Sequence, residues 1–177
     1  MANASSGVGE FADAALRDRV TQWLLIEAEM IDDQREREWL DTMVSRDLVY
    51  QLPLRQTVER KRGKGFIEGC YHLDETWGSL NNKLRQNETG HSWAEDPPSR
   101  TRHYVTNIRV GKPKDGEMAV RSNLLLYRSR QDELPPQVFS GERHDVLVES
   151  EGSFLLKRRV IYLDTTAITS HNLAFIF

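Results

Sequence analysis

Residues 90–109 read GHSWAEDPPSRTRHYVTNIR, and this stretch divides the chain into two kinds of sequence. Before it, apolar residues recur at the three-to-four-residue spacing of helices. After it, they come in strand-like runs separated by turns. A segment that only had to turn a corner would not need Trp93, Asp96, Arg100, Arg102 and His103 so close together. Pro97-Pro98 stiffens an extended backbone and lowers the entropy cost of presenting the flanking side chains. Arg100 and Arg102 lie two apart, so they share one face of an extended strand. Arginine forks pair well with carboxylates, and tryptophan and arginine are enriched in interface hot spots. Two readings follow: the arginines lock the joint internally with Glu95 and Asp96, or the joint is a recognition surface.

On the N-terminal side, residues 1–12 read as a flexible tail. From Asp13 onward Leu16, Val20, Trp23, Leu24, Ala28 and Ile31 form one helical stripe. Asp32-Asp33 interrupts it, and a second helical piece carries Trp39, Leu40, Met43 and Val44 on one side. Leu48, Tyr50, Leu52 and Leu54 alternate with polar or small residues as in a half-buried strand, and Pro53 suggests a sheet edge. Residues 55–65 read as a polar loop, with a short strand near Phe66-Ile67. A third helix is expected from about His72, with Asp74 as its N-cap, Trp77, Leu80 and Leu84 on one face, and Gly90 as terminator.

On the C-terminal side come four strands. The first places Tyr104, Ile108 and Val110 on one face, and GKPKDGE (111–117) is a turn. Strands over 118–130, 138–149 and 153–164 follow, with turns at 131–137 and at ESEG (149–152). Long strands joined by hairpin turns predict an antiparallel meander. Helices first and sheet last is the α+β pattern, with the helices on one sheet face.

The 177 residues fit one domain, from 1 to 177, large enough to bury a core without disulfides or a structural metal. A net charge of -3 gives no basic field for nucleic acid, and the basic run 55–64 is broken by glutamate and glycine. The lone Cys70 excludes an internal disulfide, fits a reducing cytoplasm, and reads as a small buried apolar residue. No apolar run approaches the ~18 residues of a membrane span.

The chemistry is constrained as well. A mononuclear iron site needs two histidines and a carboxylate converging, and His72, His91, His103, His144 and His171 are spread one per element. A Rieske centre needs two cysteines and two histidines, which one cysteine does not supply. No GxSxG elbow, phosphate loop, HExxH or dinucleotide fingerprint is present. One enzymatic reading remains, in which a helix-covered curved sheet encloses an apolar cavity. Asp32, Asp33, Tyr50 and His103 would then do acid–base work, although neighbouring carboxylates cannot both face inward.

The motifs His72-Leu73-Asp74-Glu75-Thr76-Trp77 and Trp93-Ala94-Glu95-Asp96-Pro97-Pro98-Ser99-Arg100-Thr101-Arg102-His103 resemble the small (β) subunit of aromatic-ring-hydroxylating dioxygenases. The likeness continues through Val105-Thr106-Asn107, the strand from Arg121 to Arg130, Gly141 to Asp145, and Asn172 to Phe177. It covers nearly the whole chain from about Asp18. It implies a cystatin-like (NTF2-like) α+β cone with N-terminal helices on a mainly antiparallel sheet. It also implies a non-catalytic subunit without cofactor, metal or catalytic residues of its own. The partner would be a large α subunit carrying a Rieske [2Fe–2S] cluster and mononuclear Fe(II), in an α3β3 hexamer with β–β contacts. A ferredoxin and a reductase would deliver NAD(P)H electrons for cis-dihydroxylation of an arene with O2.

From their density around the proline-stiffened hinge, Trp93, Asp96, Arg100, Arg102 and His103 are expected to hold the joint and contact α or a neighbouring β. The competing expectation is a free-standing dehydratase or isomerase using Asp32, Tyr50 and His103. A carrier that binds a small molecule without chemistry is a third.

Overall fold

A computed structural model describes residues 8–88, 98–130, 135–168 and 175–177. Helix α1 (Ala14–Asp32) is opened by Asp13, whose carboxylate accepts from Leu16 N at 2.8 Å. Its buried stripe is Val20, Trp23, Leu24, Glu27, Ala28, Met30 and Ile31. Helix α2 (Glu36–Thr42) closes when Met43 N bonds Trp39 O. Val44, expected on that helix, instead opens strand β1 (Val44–Arg55), because it pairs across to Leu156 of the last strand.

Six strands form one sheet in the order β2-β1-β6-β5-β4-β3, where β2 is Phe66–Glu75, β3 Arg100–Val110, β4 Glu117–Ser129, β5 Gln137–Ser150 and β6 Ser153–Leu163. All neighbours are antiparallel except β1 and β6. The expected α+β meander is therefore present, with α1 lying against β3 and β6 and helix α3 (Trp77–Glu88) against β1.

Three expectations are corrected. Pro53 lies on β1, which runs between β2 and β6 rather than at the sheet edge, although the pairing with β6 runs only to Gln51 opposite Val160 and Pro53 itself faces Tyr71 of β2. The β1–β2 register breaks on both sides of it, and such an irregularity accommodates the missing N–H. Residues 66–75 form the edge strand β2 throughout, where only a short strand near Phe66-Ile67 and then a helix from about His72 were expected. Asp74 sits in that strand and accepts from Gln51 Nε2 at 3.0 Å, so the helix starts one turn later. There Thr76 and Ser79 cap each other: Ser79 N donates to Thr76 Oγ1 at 3.2 Å and Thr76 N to Ser79 Oγ at 2.9 Å. Cys70, on the open edge, is exposed rather than buried. Gly90 lies outside the described residues.

On β3, Asn107 takes a left-handed backbone (φ 52°) where the β3–β4 register shifts. This bulge reverses the alternation. His103 and Val105 face inward before it, and Ile108 and Val110 after it, so Tyr104 points outward, opposite to the expected face. The hairpin turns at Asp115-Gly116 (φ 54° and 81°) and Glu151-Gly152 (φ 50° and 80°) have the paired positive φ of type I′ turns.

Of the expected tail, residues 8–12 are docked beside β3. Ala12 N bonds Val110 O at 2.9 Å, Lys112 N bonds Glu10 O at 2.7 Å, and Val8 is buried. A Cβ on Gly111 would meet Val8 O at 2.3 Å, so glycine is what allows this approach. The core between helices and sheet includes Trp39, Leu40, Leu52, Leu126 and Leu156, all fully buried. Burial of each such leucine contributes about 1.5–3 kcal/mol.

Candidate functional site

Polar residues gather at two places, inside the cone and on the outer face of the β3–β4–β5 sheet. Inside, α1 supplies Glu27 from its buried stripe, β5 supplies Arg143 and Asp145 from its inward phase, and β6 supplies Arg159. Arg159 grips Asp145 with two bonds of 2.9 Å and Glu27 with one of 2.7 Å. Trp39 Nε1 donates to the other Glu27 oxygen at 3.1 Å. Arg143 lies 3.7 Å from Glu27 and donates to Ser122 Oγ at 3.3 Å. Burial works to lower the Arg159 pKa, but the charges of Asp145 and Glu27 overcome it and raise it well above the ordinary value. Arg143 goes the other way, lowered by burial and then by the Arg159 charge.

Beside this network stand the three residues of the cavity-enzyme reading. His103 N and Nδ1 meet the two Asp32 oxygens at 2.9 and 2.6 Å, tying β3 to the C-terminal end of α1. Burial works to raise the Asp32 pKa, but the hydrogen bonds from the His103 ring and backbone outweigh it and lower the value. His103 Nε2 is 3.0 Å from Ile176 O. Tyr50 donates to Phe177 O at 3.1 Å and accepts from Phe177 N at 2.8 Å, while burial raises its phenol to about 12. Arg159 Nη1 also donates to Phe177 O, at 3.2 Å.

Tyr50 and His103 therefore converge, but on the chain's own backbone, with Asp32 behind His103. Residues 175–177 fill the space they face, with the Phe177 ring packed edge-on to Phe139 at 5.7 Å. Asp33 is exposed and does not join them. A site for acid–base work needs a substrate atom within hydrogen-bond reach of the catalytic groups. Here backbone atoms of Ile176 and Phe177 hold those positions. Among the described residues no group of three or more His, Cys, Asp or Glu could hold a metal ion.

Outside, Arg100, Arg102 and Tyr104 line up on the exposed face of β3, so the shared face expected for the two arginines is observed. Tyr104 lies directly opposite Leu125, Arg102 opposite Tyr127, and Tyr127 opposite Val138. All four apolar residues are at least 40% exposed. Arg102 leans to within 3.5 Å of Asp32. Farther along the same sheet face Glu142 gathers Lys64, Arg109, Arg121 and His144. Of the five joint residues, Arg100 and Arg102 face outward and His103 inward. Trp93 and Asp96 lie outside the described residues.

The ring hydroxylating beta subunit family model matches residues 26–170. The chain belongs to that family. Over 171 residues it is 34% identical to biphenyl 2,3-dioxygenase subunit beta of Rhodococcus jostii (strain RHA1), covering 93% of this chain and 90% of that one. It is 33% identical over 168 residues to benzene 1,2-dioxygenase subunit beta of Pseudomonas putida, covering 92% and 89%. A chain of naphthalene 1,2-dioxygenase, from a structure with indole bound in the active site, shares the fold with a TM-score of 0.84 at 23% identity. That match covers 100% of this chain and 95% of the other. The β-subunit resemblance carried by residues 72–77 and 93–103, and the cone it implied, thus hold for the chain as a whole. The free-standing dehydratase or isomerase is the less supported reading.

The sequence reading missed Glu27, Arg143, Asp145 and Arg159 as a set. A signal existed: Glu27 falls between Leu24 and Ile31 on the apolar stripe, and Arg143 and Asp145 keep the inward phase of Phe139, Gly141 and Leu147.

Proposed function

We propose that this β subunit performs no chemistry itself and serves to assemble the oxygenase component of an aromatic-ring-hydroxylating dioxygenase. Its partner is a large α subunit, which holds the Rieske [2Fe–2S] cluster and the mononuclear Fe(II) and dihydroxylates an aromatic hydrocarbon. The assembly is an α3β3 hexamer in the cytoplasm, with β–β contacts, served by a ferredoxin and a reductase. The chain enters it as one domain. No helix among the described residues is long and apolar enough to cross a membrane, in keeping with a soluble complex.

The observation that carries this reading is the outer sheet face. Contiguous exposed apolar side chains flanked by arginines have the composition of a subunit contact rather than of a solvated sheet. Arg100 and Arg102 stand at its edge, and with Trp93 and Asp96 of the same stretch of sequence they are the residues that would touch α or the adjacent β. His103 acts from behind by fixing β3 to Asp32.

Co-expression with an α subunit of the family, followed by native mass and an iron assay on each chain, tests the proposal. It predicts a six-chain complex with all the iron in α. Recovery of α and β as separate species, or iron held stoichiometrically by this chain alone, would overturn it.

A further inference from the structure

The interior cluster has the construction of a ligand site whose occupant is part of the chain. Side chains from three strands aim polar atoms at residues 176 and 177: Tyr50 and Arg159 at Phe177 O, Tyr50 also at Phe177 N, and His103 at Ile176 O. Most buried backbone groups are satisfied by other backbone. Here side chains do it, in the manner in which a few placed polar groups orient a ligand in an apolar pocket. The apolar side is supplied by Phe139, whose ring lies 5.7 Å from that of Phe177.

A separate observation points the same way. Arg143 Nη2 is buried with no hydrogen-bond partner among the described residues. Arg143 belongs to the same buried cluster, 3.7 Å from the Glu27 carboxylate that Arg159 also holds.

We propose that residues 175–177 occupy a binding site for an aromatic carbonyl compound. Once vacated, the site takes a phenyl ring where Phe177 lies and a carbonyl or carboxylate oxygen between Tyr50 and Arg159. The charges of Glu27 and Asp145 are matched by Arg143 and Arg159, so a neutral amide adds no unbalanced charge. A carboxylate would use the spare Arg143 N–H instead. This site is independent of the assembly role, so the chain is tested by itself.

Thermal melts compare the full chain with a variant lacking residues 175–177, each with 3-phenylpropanamide, 3-phenylpropanoate or ethylbenzene. A carbonyl probe is expected to raise the melting temperature of the shortened chain and leave the full chain unmoved. An amide effect identifies the neutral ligand and an acid effect the anionic one. Tyr50→Phe in the shortened chain should weaken binding roughly tenfold. If the shortened chain does not stay folded, recovery of its far-UV signal on refolding with a carbonyl probe is the readout. The site is refuted if neither carbonyl probe shifts or rescues the shortened chain, if ethylbenzene does as well, or if the full chain responds equally.

Discussion

Tyr50 and Tyr104 are both strand tyrosines on the same sheet, with opposite surroundings. Tyr50 is 1% exposed and its hydroxyl both donates to and accepts from the Phe177 backbone, whereas Tyr104 is 52% exposed beside Leu125. The arginines divide likewise: the Arg159 side chain is fully buried between two carboxylates, and that of Arg102 is 59% exposed. The residues that looked most like chemistry are committed to holding the cone together. Of those that looked like a joint, Arg100 and Arg102 lie on the exposed face and His103 is turned inward. A fold that hosts enzymes elsewhere can thus become a subunit when its interior is filled and its outer face stays apolar.

The sharpest way to break this division is to attack the interior. Arg159→Leu leaves two buried carboxylates, Glu27 and Asp145, against the single charge of Arg143 and should cost roughly 3–5 kcal/mol of unfolding free energy. Urea denaturation measures it, and a cost below about 1 kcal/mol would show that the network is not structural. Tyr50→Phe leaves the Phe177 N–H and oxygen short of a partner and should cost about 1–3 kcal/mol.

Tyr50 also sets an alkaline limit. A phenol raised to about 12 contributes stability that is fully present below pH 10 and lost as pH rises from 10 to about 12. The Tyr50→Phe variant should lack that part of the decline in pH-dependent melts. Asp32 sets the acid counterpart, with the opposite sign. Its lowered pKa contributes stability that is fully present above the ordinary carboxylate value and lost as pH falls from there through the lowered folded-state value. Asp32→Asn should flatten the acid limb of the same melts, and an unchanged limb would detach His103 from this role. The smallest effect belongs outside: Arg102→Ala breaks a long, largely exposed ion pair and should alter stability by less than about 1 kcal/mol.

Much of this is legible in the sequence. The stripe from Leu16 to Ile31 and the turns at 111–117 and 149–152 follow local rules of period and turn chemistry, and they hold. What was not legible depends on distant partners. Residues 66–75 lack clean alternation because they form an edge strand with most side chains in solvent, so the following helix appeared to begin too early. The Asn107 bulge inverted the expected face of Tyr104, since nothing in TNIR itself fixes where a register slips. Of the four residues grouped for acid–base work, Asp32 and His103 touch, Tyr50 and His103 meet the same backbone, and Asp33 stays outside. The segment that Tyr50 and His103 hold, residues 175–177, arrives from the far end of the sequence, and no local pattern places it there.

The central claim is that the outer face, not the interior, is where this subunit works. Its most direct test is the native mass of the oxygenase after co-expression of α with a β chain carrying Tyr104→Ser and Tyr127→Ser. The account predicts a β chain with a wild-type melting curve that no longer co-purifies with α in stoichiometric amounts. An intact six-chain complex, stable in high salt, would contradict it.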